Sequence, residues 1–229
     1  MISKMNTDNG PIWEYFQNSC IESFDDSVPR LRYLVARAGN PSGVLLNIGT
    51  GNGALERLAA VKGWNVISVD PDASTLAKLS APRIDTRQGV IENLPVDSDS
   101  VDVVVVSEVF EHLSPEAMSA GLAEIKRILK PTGKLLGTVP YRESLAASTV
   151  FCPDCKKIFH RWGHQQTFDV PKLRDALSVH LRPLAIRPRF FLDWKSTLAH
   201  FPKVAASFLG VHSGNEHIFF VCRQYPKKD

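Results

Sequence analysis

The strongest limit on the fold is the alternation of short apolar runs with helix-patterned stretches. "GVLLNIG" (43–49), "NVISVD" (65–70), "VDVVVVSE" (101–108) and "KLLGTVP" (134–140) each read as a strand. Strands spaced by helices run parallel, in a sheet that helices cover on both faces. Val103 to Val106 are apolar at every position, which predicts a strand buried on both faces at the sheet centre. In the helix that follows, Ser114 reads as the N-cap and Pro115 as N1. Met118, Leu122, Ile125 and Leu129 form its apolar stripe, and "KPTG" is the expected stop.

Other elements are expected around this frame. Ile84 to Gln88 reads as a further short strand, and "PLAIRPRFFLDW" and "NEHIFFVCRQY" as late strands that finish the sheet after a long connection. "PIWEYFQNSCIESF" and "SVPRLRYLVARAG" read as two amphipathic helices ahead of the core, placed to cover a substrate pocket. A short helix is expected from about Val170 to Ser178.

Composition narrows the class. At 229 residues and 44% hydrophobic the chain can bury a full core as one domain. No window approaches the roughly 18 uninterrupted apolar residues of a membrane-spanning helix. The N-terminus "MISKMNTDNGPIW" lacks the layout of a secretory signal, which implies a cytoplasmic home. Four cysteines, Cys20, Cys152, Cys155 and Cys222, are too few and too scattered for a disulfide framework. A net charge of +3 is far from the basic stripe of a dedicated nucleic-acid binder.

"LLNIGTGNGAL" places Gly49, Gly51 and Gly53 between a strand and a helix, where glycine lets a ligand approach the backbone. Asp70 ends the next apolar run, where an acidic side chain accepts hydrogen bonds from the ribose hydroxyls of a nucleoside. A dinucleotide fingerprint would read G-x-G-x-x-G. This loop reads G-T-G-N-G and is followed by "GVIENLPVDSDSVDVVVVSEVFEHL".

From Pro41 to Tyr141 these motifs in order resemble the class I S-adenosylmethionine-dependent methyltransferases, and the late strands resemble that family's closing hairpin. The resemblance implies a Rossmann-like α/β fold: a doubly wound, mostly parallel seven-stranded sheet, here with a small zinc-binding insertion. It divides a single domain, 1–229, into N-terminal helices (1–40), a cofactor-binding core (41–141), an insertion (142–182) and closing strands (183–229). It implies S-adenosyl-L-methionine as cofactor. Asn47, Ile48, Gly49, Thr50, Gly51 and Gly53 would wrap its methionine part, Asp70 would hold the ribose, and Pro71, Val90 and Ile91 would border the adenine. Ser107 and Glu108 would lie near the sulfonium. Two positions depart from the family pattern, Asn47 and Val90, where acidic residues are usual.

Methyl transfer to a hydroxyl needs an aligned nucleophile and a proton acceptor. Groups at the carboxyl ends of the strands are the candidates: Glu108, Glu111, His112 and Tyr141. His112, with an ordinary pKa near 6.5, is the expected catalytic base. For Glu108, Glu111 and His112 together, catalytic, metal-binding and structural roles stay open.

"CPDCKKIFHRWGH" has the spacing C-x2-C-x4-H-x3-H, with Cys152, Cys155, His160 and His164 as expected ligands of one structural zinc ion. The gap between the pairs is too short for a finger helix, so the expectation is a knuckle that stiffens the acceptor side of the pocket. A thioredoxin-like redox pair, an incidental cluster and a single-strand nucleic-acid contact through "KKIFHRW" are the rival readings. The combined expectation is a methyltransferase acting at an oxygen of a small-molecule or glycolipid acceptor. An RNA methyltransferase and a catalytically silent cofactor-binding protein are the alternatives, and the oligomeric state is left open.

Overall fold

The computed structural model describes residues 10–19, 27–41, 43–191 and 216–226. Its strands are β1 (Val44–Ile48), β2 (Asn65–Asp70), β3 (Ile84–Gln88), β4 (Val101–Ser107), β5 (Leu129–Pro140), β6 (Thr149–Phe151), β7 (Ile158–His160), β8 (Arg182–Arg189) and β9 (His217–Arg223). Its helices are α1 (Gly10–Ser19), α2 (Val28–Ala38), α3 (Ala54–Lys62), α4 (Ala73–Ala77), α5 (Pro115–Ile128) and α6 (Val170–Ser178).

Seven strands form one sheet in the order β3-β2-β1-β4-β5-β9-β8. The pairs from β3 to β5 are all parallel, and β9 runs antiparallel to both of its neighbours. β4 lies at the centre, as its unbroken valine run predicts. Val104 and Val106 face one core layer with Met118, Leu122 and Ile125 of α5 and Leu173 and Leu177 of α6. Val103 and Val105 face the other, with Leu31, Leu34 and Val35 of α2 and Leu55 and Ala59 of α3. All four valines are at most 3% exposed, so alternate side chains of one strand serve two separate cores.

The chain order reverses between β1 and β4, leaving a crevice outside the carboxyl ends of those strands. The glycine loop after β1, Asp70 at the end of β2 and the turn after β4 all open into it.

Three expectations are adjusted. The Ser114 side chain caps α5 as expected, accepting from the Ala117 N–H at 3.2 Å. The helix ends one residue earlier, at Ile128, and "KPTG" falls within β5, where the register against β4 shifts between Val101 and Val103. Helix α6 lies within the expected insertion, 142–182, yet Leu173 and Leu177 are fully buried in the main core, and the β6–β7 hairpin is the part that stands apart. Cys20, the second half of the first expected helix and residues 192–215 of the late connection lie outside the described residues.

Candidate functional site

The glycine loop is held from below by a buried polar network. Gly49 has φ +83°, a conformation that favours glycine, and a Cβ there would sit 2.9 Å from Val109 Cγ2. The Thr50 N–H donates to Asp70 Oδ2 at 2.8 Å and the Asp72 N–H donates to Asp70 Oδ1 at 2.9 Å. Asp70 thereby ties the loop after β1 to the end of β2. Burial pushes its carboxyl above the usual carboxylate range, against the hydrogen bonds from Asp72 and Thr50.

A third donor reaches Asp70 from α1: Gln17 Nε2 donates to Oδ2 at 3.1 Å, and Asn18 Nδ2 donates to Asp72 Oδ2 at 2.9 Å. A carboxylate offers about four acceptor sites, and the Thr50 and Asp72 N–H groups take two, so release of the Gln17 amide leaves two for the ribose hydroxyls. The cradle therefore fits a nucleoside cofactor with α1 as its cover, which extends the expectation for the N-terminal helices to the cofactor side.

Asn47, where the family pattern has an acid, lies against a buried carboxyl from another element. Asn47 Nδ2 donates to Glu56 Oε1 at 2.7 Å and to the Gly49 carbonyl at 3.0 Å, and Ser68 Oγ donates to Glu56 Oε1 at 2.6 Å. Ser68 Oγ in turn lies 2.8 Å from Thr50 Oγ1. Glu56, on α3, is fully buried, and burial raises its pKa against the bonds from Ser68 and Asn47. Sequence reasoning missed it, because an acid in the first turn of a helix also reads as a partner for the helix dipole.

Of the three residues expected at the adenine, Pro71 is exposed and Val90 is 47% exposed, both open to a ligand. Ile91 differs from these two. Its side chain is buried in the core against α5, where a Cβ on Gly121 would lie 2.7 Å from Ile91 Cγ1, so only its backbone faces the crevice loop.

Past β4, Ser107 Oγ accepts from Arg30 Nε at 3.2 Å and lies 3.0 Å from Thr138 Oγ1. Glu108 Oε2 lies 3.1 Å from His217 Nδ1. Burial opposes ionisation of Glu108, but the charges of His217 and Arg30 outweigh it and hold the carboxyl well below its usual range. Its Oε1 is buried without a hydrogen-bond partner among the described residues. Glu111 moves the other way: burial and then the neighbouring Glu108 charge push its pKa well up.

His112 also differs from expectation. Its ring packs edge-on against Trp13 of α1 at 5.2 Å and against His164 at 4.6 Å between centroids. Burial and then the charge of His164 push its pKa down to about 3. A base poised near neutrality needs a solvated or anion-paired ring. Burial and the imidazole of His164 weigh against such a poise at His112.

The expected four-ligand zinc set is divided. Cys152 and Cys155 occupy the turn of the β6–β7 hairpin, where the Cys152 N–H donates to the Lys157 carbonyl and the Lys156 N–H to the Cys152 carbonyl, each at 2.9 Å. A backbone hydrogen bond from Cys155 and then its thiol draw the Cys152 thiol below its ordinary pKa. The hairpin register pairs Thr149 with His160, so the histidine stands at the far end of β7, a rise of roughly 10 Å from the turn. His160 and His164 turn to Glu143: His160 Nε2 lies 3.5 Å from its Oε1, and His164 Nδ1 pairs with its Oε2. Among the described residues, the groups that bring three ligand atoms together contain no cysteine. The four residues therefore do not fit one zinc ion. Cys222 is buried in the core, and burial raises its thiol to about 12.

The segment after the hairpin is bound firmly to the turn after β4. The Gln165 and Gln166 N–H groups donate to the Glu111 carbonyl at 2.7 and 3.1 Å, and their side-chain amides donate to the His112 and Leu113 carbonyls, each at 2.8 Å. Trp162 packs on Phe16 of α1, with centroids 4.7 Å apart. Helix α1 thus spans from the Asp70 cradle to the histidine cluster.

Residues 46–137 match the family model described as a methyltransferase domain. A probable S-adenosylmethionine-dependent methyltransferase of Mycolicibacterium smegmatis is 39% identical over 100 residues, 43% of this chain and 38% of that protein. A methyltransferase of Schizosaccharomyces pombe of uncharacterised activity is 34% identical over 99 residues, 42% of this chain and 38% of that protein. The chain spans less than two-fifths of the length of these curated relatives. Among solved structures, a Haloferax volcanii putative methyltransferase in complex with the activator Trm112 superposes with TM-score 0.71 at 20% identity, covering 94% of this chain and 98% of that one. The Burkholderia thailandensis 1,6-didemethyltoxoflavin-N1-methyltransferase, bound to its substrate and S-adenosylhomocysteine, superposes at 0.66 with 18% identity, covering 96% and 88%. At such identities the superpositions establish the fold.

Proposed function

We propose that the chain is a class I S-adenosylmethionine-dependent methyltransferase that transfers a methyl group to an oxygen of a small or medium-sized, hydroxyl-bearing acceptor, such as a sugar, a glycolipid or a natural-product intermediate; the match of residues 46–137 to a methyltransferase domain supports this reading. The observation that carries this reading is Asp70: a buried carboxylate at the end of β2, 2.8 Å from the Thr50 N–H of the glycine loop, at the switch point of the sheet.

S-adenosylmethionine supplies an electrophilic methyl on a sulfonium. The chain's residues bind, orient and exclude water. Asn47 to Gly53 hold the methionine part, Asp70 the ribose, and Pro71 and Val90 the adenine edge. Glu56 stands in for the carboxylate lacking at position 47. Ser107 and Glu108 border the sulfonium end, where the unpartnered Oε1 of Glu108 takes the acceptor's hydroxyl proton as the methyl–sulfur bond breaks and the methyl–oxygen bond forms, leaving S-adenosylhomocysteine. Trp13, Phe16 and Trp162 offer aromatic faces beside buried imidazoles and carboxylates, a lining suited to a polyhydroxylated ring. No helix among the described residues is long and apolar enough to cross a membrane.

Isothermal titration with S-adenosylmethionine tests the reading. One site per chain, displaced by S-adenosylhomocysteine, is expected, and absence of both heat and competition refutes it.

A further inference from the structure

The turn after β4 holds more buried acceptors than the described residues satisfy. Glu111 is 1% exposed, yet neither of its carboxylate oxygens has a hydrogen-bond partner, and Nδ1 of His112 has none either. Each such atom left unmet opposes folding by the cost of stripping its water. A bound cation satisfies several lone pairs at once, and orphaned atoms grouped in one place point to such a ligand.

Two groups of three side chains bring ligand atoms within 4.8 Å of one another: Glu111, His112 and His164, and Glu143, His160 and His164. The tautomers implied by the hydrogen bonds choose between them. His160 Nδ1 accepts the His164 N–H at 3.1 Å, so the ring proton sits on Nε2, which faces Glu143 and has no lone pair to give. His112 is the reverse. Its ring bonds to the Gly163 backbone, and because Nδ1 is unpartnered the donor is Nε2, leaving the Nδ1 lone pair free. For His164, Glu143 engages Nδ1, leaving Nε2.

We propose that Glu111, His112 and His164 bind one divalent transition-metal ion of the zinc class, with Glu143 as the positioning residue that orients His164. The outer partners match those of metal-bound histidines, which give their second N–H to a carboxylate or a backbone carbonyl. Two imidazoles and one carboxylate leave a coordination position open to an oxygen ligand such as a hydroxyl. Gln165 and Gln166 fix the chain after His164 to the Glu111 and His112 carbonyls, so the three ligands are held near one another by the fold. Glu108 stays outside it, engaged by His217. The ion would fasten the hairpin to the sheet edge. Only the assignment of the open position to the acceptor rests on the proposed methyltransferase function.

The test loads full-length protein with zinc, removes excess by desalting, and measures metal by mass spectrometry, with a parallel cobalt(II) sample for absorption. One ion per chain is expected, retained in the Cys152→Ser/Cys155→Ser variant and lost in Glu111→Gln and His164→Ala. Glu143→Gln should weaken binding roughly 10- to 100-fold. The cobalt spectrum should show d–d bands without a thiolate charge-transfer band, and this readout on the unmutated protein stands even if a variant fails to fold. Substoichiometric metal, a thiolate band, or loss of the ion with the two cysteines overturns the proposal. Titration of the same sample with S-adenosylhomocysteine separates the two readings: cofactor binding without metal refutes the ion alone, and metal without cofactor binding refutes the methyltransferase reading alone.

Discussion

Asp70→Asn is the substitution whose effect the structure constrains best. The two carboxylate oxygens accept separate backbone N–H groups, Thr50 on Oδ2 at 2.8 Å and Asp72 on Oδ1 at 2.9 Å. In asparagine one of those oxygens becomes an NH2 donor. Whichever way the amide lies, one backbone N–H then faces another donor and is left unmet in a buried site. That costs about 1–3 kcal/mol of stability. On the ligand side, one ribose hydroxyl loses an anionic acceptor, a bond of about 1.5–3 kcal/mol, so affinity should fall roughly 10- to 150-fold. Isothermal titration with S-adenosylhomocysteine measures the second effect, and urea unfolding of the free protein the first. Affinity within about twofold of the unmutated protein, below roughly half a kcal/mol, would mean that Asp70 does not hold the ribose.

Two further substitutions probe the network beneath the loop. Glu56 has a folded-state pKa raised by burial, so its contribution to stability is fully present below the unfolded carboxyl value and is lost as pH rises through the folded value. Glu56→Gln removes that titration while keeping an oxygen for Asn47 and Ser68. Its unfolding free energy should therefore gain on the unmutated protein as pH rises above the ordinary carboxyl value of 4.5, and parallel pH curves would contradict the assignment. Gly49→Ala puts a Cβ 2.9 Å from Val109 Cγ2 at φ +83° and should cost about 1–3 kcal/mol, with cofactor affinity falling alongside the thermal midpoint. An alanine variant that binds cofactor normally would show that the loop does not need glycine there.

Much of this arrangement was legible in the chain, and the illegible parts share a cause. The unbroken Val103–Val106 run marked the centre of the sheet because only a strand with two covered faces needs no polar positions. The meeting of Asp70 with the glycine loop was legible from its place at the end of the run after that loop, since one βα unit fixes the distance between them. That the Ile91 side chain turns into the core was not legible, because position in a loop does not say which way a side chain turns. The zinc set failed for a related reason. A spacing of C-x2-C-x4-H-x3-H does not reveal that the second pair starts at the far end of a hairpin strand from the first. Gln17, Arg30, Glu143 and His217 meet the site from segments remote in the chain, and nothing local marks them. Only Glu56 carried a signal, and its position in the first turn of α3 admitted a simpler explanation.

The most direct test of the central claim is transfer of label. Full-length protein is incubated with methyl-labelled S-adenosylmethionine and separate small-molecule, glycolipid and RNA fractions of a cell extract, beside an Asp70→Ala control. The account predicts label in a hydroxyl-bearing small-molecule or glycolipid fraction, released as an ether-linked methyl and absent in the control. Stoichiometric cofactor binding with no fraction labelled, or label confined to RNA, would contradict it.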